Sequence, residues 1–121
     1  MKIVYIAHPV SGDIPGNLEK VRKIGRMINM TEPDTVPVCQ FFFDCQTLDD
    51  SIPAERERGI KNDTELLRRG SIDELRPHGD RISKGMAAEI KLAEELNIPI
   101  CPMTANTSEQ YFTSSYKQVE R

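Results

Sequence analysis

Two carboxylates stand on the apolar sides of their helices, where an acid is costly to keep without partners. The spacing predicts a helix over 83–96 with Met86, Ile90 and Ala93 on one stripe and Lys84, Lys91 and Glu95 on the other. Glu89 falls about 60° from Met86, close to Leu96 and on the apolar side. The preceding helix, predicted over 53–69, repeats the pattern. Ile60 and Leu67 mark its apolar stripe, Leu66 flanks it, and Asp63 sits between them. Spacing alone leaves two plainer readings open: a glutamate whose stem bends out to water, and an aspartate that bonds a nearby loop. Two inward acids on adjacent helices also form the apparatus that breaks a glycosidic bond. One attacks the sugar carbon, while the other moves a proton or fixes a hydroxyl.

The segment Ser83-Lys84-Gly85-Met86 opens the helix that carries Glu89. Free backbone N–H groups and the positive dipole end suit a phosphate or carboxylate there, and Gly85 allows a close approach. Ser83 is equally an ordinary N-cap. An anion held at this point places an attached sugar within reach of Glu89. Other candidates divide the same way. His8 ends the first strand and can donate to a phosphate or a leaving base, and His78 is a weaker candidate. Asp80 and Arg81 either bind the ligand or brace their loop. Asp13, after Gly12, accepts from sugar hydroxyls or serves turn chemistry. Phe41, Phe42 and Phe43 stack on a base or pack in the core.

These residues need a frame. Lys2 to Ala7 reads as a buried central strand. A loop follows, and then a helix from near Pro15 with Leu18, Val21, Ile24 and Ile28 on one face. Thr35 to Cys39 is a second strand running into the phenylalanines, and Ile72 to Leu75 is a weak third strand that Pro77 and Gly79 end. Asn97 stops the Ser83 helix, and Ile98 to Met103 is a fourth strand. Residues 104–121 are polar apart from Tyr111, Phe112 and Tyr116. They read as a tail, a fifth strand or a docking helix, with the aromatics either covering a neighbour's site in an oligomer or packing on their own sheet. Alternating strands and helices predict an α/β domain with a parallel sheet covered on both faces. Ligands bind beyond the carboxyl ends of such strands. Three loops fall at that edge: 7–13, 41–50 and 78–85.

The chain has 121 residues, 38% hydrophobic and 29% charged, an ordinary balance for one globular domain. A net charge of −3 argues against binding a nucleic-acid polymer. No apolar run is long enough for a membrane span, and the start lacks a secretion signal. Cys39, Cys45 and Cys101 form no close pair and read as reduced thiols in a cytoplasmic protein. The two histidines have no metal-ligand spacing to them, so no metal is expected.

Tyr5-Ile6-Ala7-His8-Pro9, Gly12-Asp13, Leu48-Asp49-Asp50 and Gly79-Asp80-Arg81-Ile82-Ser83 with Gly85-Met86 and Glu89-Ile90 carry a resemblance. Over residues 2–103 the chain resembles the nucleoside 2-deoxyribosyltransferase-like superfamily. The resemblance is to a small branch of it, related to the 2′-deoxynucleoside 5′-monophosphate N-hydrolases. It implies a flavodoxin- or Rossmann-like three-layer sandwich with a mostly parallel sheet of four to five strands. It implies Glu89 as nucleophile, Asp63 as the second acid and Ser83 at a phosphate. Tyr5, His8 and Pro9 would then lie near the sugar or base. It also implies a homo-oligomer and no cofactor. The expected activity is N-glycosidic cleavage or transfer on a nucleoside or its 5′-monophosphate. The alternatives are a non-catalytic nucleotide-binding module and a structural assembly protein.

Overall fold

An unbroken apolar run belongs at the centre of a parallel sheet, where both faces are covered. The computed structural model places β1 (Lys2–Ala7) there, between β2 (Thr35–Val38) and β3 (Glu74–Pro77), all parallel. It describes residues 1–120, the last three by their backbone alone. Val4, Tyr5, Ile6 and Ala7 are each at most 2% exposed. Val4 and Ile6 pack against Ile24 and Ile28 of α1 (Ile14–Thr31). Tyr5 and Ala7 join Leu67 of α3 (Pro53–Arg68) and Met86, Ile90 and Ala93 of α4 (Lys84–Glu95). The chain is therefore of the α/β class, with helices on both sheet faces.

The sheet has three strands rather than four or five. Residues 98–103 do run beside β3. The Leu75 N–H donates to the Pro99 carbonyl at 2.9 Å, and the Cys101 and Met103 N–H groups donate to Leu75 and Pro77 at 2.8 Å each. The next rung of this ladder needs an N–H at position 77, which proline lacks. Only one bridge forms, Leu75 to Ile100. Pro77 is tolerated inside β3 because its missing donor faces that segment. Pairing with β1 continues through the His78 N–H, 2.8 Å from the Ala7 carbonyl. The third strand thus spans Glu74–Pro77 instead of ending at Leu75.

One further expectation changes, and one left open is decided. Residues 41–50 are not a loop, since Gln40–Thr47 form the helix α2. Phe41 is buried, but Phe43 is exposed. Local composition favours extended chain here, and contacts with α3 decide for helix. Residues 104–120 fold back on their own chain as α5 (Ala105–Thr113) and a 3₁₀ stretch (Ser115–Glu120), while Arg121 lies outside the described residues. Tyr116 is buried in the α4-side core, and the Tyr111 hydroxyl donates to Glu94 at 2.8 Å. No helix among the described residues is long and apolar enough to cross a membrane.

Over β3 on the α1 side, a polar group closes the sheet. The buried Arg76 guanidinium donates to both Glu32 carboxylate oxygens at 2.9 and 3.0 Å and to Glu74 at 2.5 Å. His78 lies next along this face, 5% exposed, with Nε2 unpartnered. Burial, then the nearby His8 and Arg76, lower its pKa from 6.5 to about 4. A lowered histidine pKa favours the unfolded chain once that chain takes up the proton. Stability from neutral His78 is therefore present above pH 6.5 and lost as pH falls through 4. The loss is on the order of 3 kcal/mol. Denaturant titrations of wild type and His78→Gln between pH 7 and 4 are expected to diverge by that amount. The variant gains relative to wild type as the solution is acidified.

Candidate functional site

The carboxyl ends of the strands open onto a cleft of about 630 Å³, a size usual for small-molecule sites. His8 and Val10 follow β1 into it, Asp44 and Cys45 enter from α2, Gly59 and Asp63 from α3, and Ser83 to Met86 with Glu89 from α4. Each wall has a local reason. Asp13 caps α1, its Oδ1 accepting from the Gly16 N–H at 3.1 Å, and the Asn17 amide holds the Val10 carbonyl at 2.9 Å. Gly79 has φ +93°, and a Cβ on it would lie 2.7 Å from Pro9 Cδ. Only glycine lets the 78–83 loop pass this close to the end of β1. Ser83 then caps α4, its Oγ accepting from the Met86 N–H at 3.3 Å.

The same loop is held from outside by α5. The Thr107 hydroxyl donates to the Pro77 carbonyl at 3.2 Å, and the Thr104 hydroxyl donates to the Gly79 carbonyl at 2.8 Å. Gln110 Oε1 accepts from the Ile82 N–H at 2.8 Å. Three residues at helical spacing thus bind residues 77, 79 and 82 of the segment that leads to Ser83.

Glu89 is partly buried and accepts a hydrogen bond from the Tyr5 hydroxyl. Burial raises its pKa to about 8, the charge of Asp63 adds to this, and the tyrosine pulls it back. Asp63 rises to about 7 through burial and then the charge of Asp44, and its Oδ1 has no partner. Tyr5 is pushed well above 10 by burial and by these acids, so it remains a hydroxyl donor. His8 lies with Nδ1 2.7 Å from the Pro9 carbonyl, which places a proton on that nitrogen, and burial lowers its pKa. Near neutral pH the cleft therefore holds two carboxyls that exchange protons easily, beside a fixed donor. Such a pair can supply an acid and a base or nucleophile.

Of the residues singled out from sequence, Glu89, Asp63, His8, Ser83, Gly85 and Met86 meet at this cleft. Tyr5 is fully buried and reaches it through Glu89. Pro9 is buried beneath Gly79. Gly12 and Asp13 form an exposed turn outside the lining, and Asp80 and Arg81 are exposed and pair with each other at 3.1 Å. Ile60 lines the cleft but is 59% exposed rather than buried. Asp44 and the α5 contacts escape the sequence reading. An acid inside the run Phe41-Phe42-Phe43-Asp44-Cys45 was the available signal for the first, and nothing local marks the second. Among the described residues, no group of three or more His, Cys, Asp or Glu is placed to hold a metal ion.

Residues 2–103 match the model of a family described as a domain of unknown function, DUF7768. The chain belongs to the DUF7768 family. No curated protein and no solved structure matches it. The DUF7768 match takes in every cleft-lining residue and stops before Thr104, so the α5 contacts lie beyond it.

Two outcomes follow from the geometry. A group whose folded pKa is raised favours folding below its unfolded pKa and loses that contribution as pH rises through the folded value. Glu89→Gln keeps an acceptor for Tyr5 and removes the buried charge. It is expected to match wild type in stability near pH 4 and to exceed it by about 2 kcal/mol near pH 9, less than full burial would give because Glu89 keeps some exposure. Urea unfolding at the two pH values checks this. Gln110→Ala leaves the part-buried Ile82 N–H without its acceptor and should cost about 1–2 kcal/mol. Faster hydrogen exchange at Ile82, with the β1 amides unchanged, is the expected signature.

Proposed function

We propose that this chain cleaves or transfers the N-glycosidic bond of a nucleoside or nucleoside 5′-monophosphate, with Glu89 as nucleophile. The observation that carries the reading is the placement of Glu89, tied to Tyr5 at the strand-end cleft with Asp63 on the neighbouring helix. The strand order β2–β1–β3, with residues 98–103 beyond β3, supports a flavodoxin-like architecture. In that reading the ionised Glu89 attacks the anomeric carbon as the bond to the base nitrogen breaks. Asp63 delivers a proton to the departing base or holds a sugar hydroxyl. Water or a second base then displaces Glu89 from the sugar, giving up its proton to Asp63 and restoring the Glu89 carboxylate. The cleft carries Asp44, Asp50 and Glu55 against Arg56 and Lys84, with Asp63 and Glu89 adding negative charge as they ionise. This balance favours a neutral nucleoside over its phosphate.

One observation favours a non-catalytic nucleotide-binding module instead. With a pKa near 8, Glu89 is mostly protonated at neutral pH and is then a poor nucleophile. Incubation with a panel of deoxynucleosides and their 5′-monophosphates, read by release of free base, separates the two readings. Catalysis with Asp63 as proton donor predicts release that rises from pH 6 to a maximum between about 7 and 8, and a loss of about a thousandfold or more in Glu89→Gln. Tight binding without release, unchanged in that variant, rejects catalysis.

A further inference from the structure

Asp44 is the buried acid in the cleft that the proposed chemistry leaves unused. It is 6% exposed, and its Oδ1 is saturated by the Gln40 and Asn62 side-chain amides, each at 3.1 Å. Its Oδ2 is buried and has no partner. An isolated acceptor of this kind is expensive, and native structures rarely keep one without a use. The facing residue on α3 is Gly59, inside a helix where only proline is a worse choice. A Cβ at Gly59 would lie 3.7 Å from Oδ2 and 3.8 Å from Leu48 Cδ1, in ordinary contact. Alanine would therefore fit, and glycine leaves a gap of about one methyl group beside the carboxylate.

We propose that Asp44 Oδ2, in the space Gly59 leaves, accepts a hydrogen bond from the exocyclic amino group of a nucleobase. The cleft then takes amino-bearing bases in preference to their keto counterparts. This rests on the nucleoside reading above. Asp44 is on α2, which packs on α3, and α3 carries Asp63 and packs on α4, which carries Glu89, so Asp44 stands one element further across the cleft from Glu89. With the sugar between Glu89 and Asp63, the base is the group that extends to Asp44. A carboxylate oxygen accepts from an amino group and repels a keto oxygen, and a buried acceptor discriminates strongly against a ligand that cannot satisfy it.

Calorimetric binding to the full chain tests this with deoxyadenosine against deoxyinosine, and deoxycytidine against deoxyuridine. In at least one pair the amino member is expected to bind about tenfold tighter or more. In Asp44→Asn the Gln40 and Asn62 amides keep the side-chain oxygen, so an NH2 donor takes the Oδ2 position and the preference should reverse toward the keto member. Gly59→Ala should raise the melting temperature through helix propensity, yet weaken the amino member and leave the keto member unchanged. A purely structural Asp44 and Gly59 would not produce that opposition. Equal affinities in both pairs, a preference that survives both substitutions, or no nucleoside binding at all would each overturn the proposal. So would an adenosine-against-deoxyadenosine difference that Asp44→Asn removes, because Asp44 would then read a sugar hydroxyl. Free-base release measured on the same samples separates the two claims. Preference without release leaves the subsite and rejects catalysis, and release without preference does the reverse.

Discussion

A carboxyl group with little access to water must find a donor, and Glu89 finds one in the phenol of Tyr5. That bond joins α4 to the central strand. Tyr5 is immobile because β1 is buried on both faces, so the position of Glu89 is inherited from the core rather than from a loop. The register of α4 on the sheet follows, with Met86, Ile90 and Ala93 in the core and Glu89 at the cleft. The cost is a destabilised charge, because desolvation outweighs the help from the phenol.

The acids act on one another in series. Asp44 raises Asp63, and Asp63 raises Glu89 and Tyr5. Clustered like charges oppose folding, and here they sit beside free acceptor atoms on Asp44 and Asp63. A ligand rich in hydrogen-bond donors would relieve both penalties at once. The opposite sheet face shows the other solution to buried charge. Each guanidinium nitrogen of Arg76 is paired, with Glu32 or with Glu74.

The C-terminal helix has a different part in the design. Thr104, Thr107 and Gln110 take up polar groups of residues 77–82 that the interrupted ladder beside Pro77 would otherwise leave less constrained. The loop that delivers Ser83 is thereby braced by residues outside the DUF7768 match. A tight approach at Gly79 from one side and α5 from the other leave the start of α4 little freedom.

By itself the sequence determined whatever depends on local periodicity. The buried run of β1, the apolar faces of α1 and α4, the cap at Ser83, and the inward acids Asp63 and Glu89 were legible from spacing. Tertiary structure alone decided the rest. Whether residues 98–103 become a strand depends on which side of β3 the missing N–H of Pro77 faces. The phenylalanine run is helical because α2 packs on α3, with Asp44 held by Asn62 across that contact. The three grips of α5 on the 77–82 segment join residues 25 to 30 positions apart. Periodicity records which face of an element is apolar. It carries no record of which distant polar group that element will meet, and these features are made of such meetings.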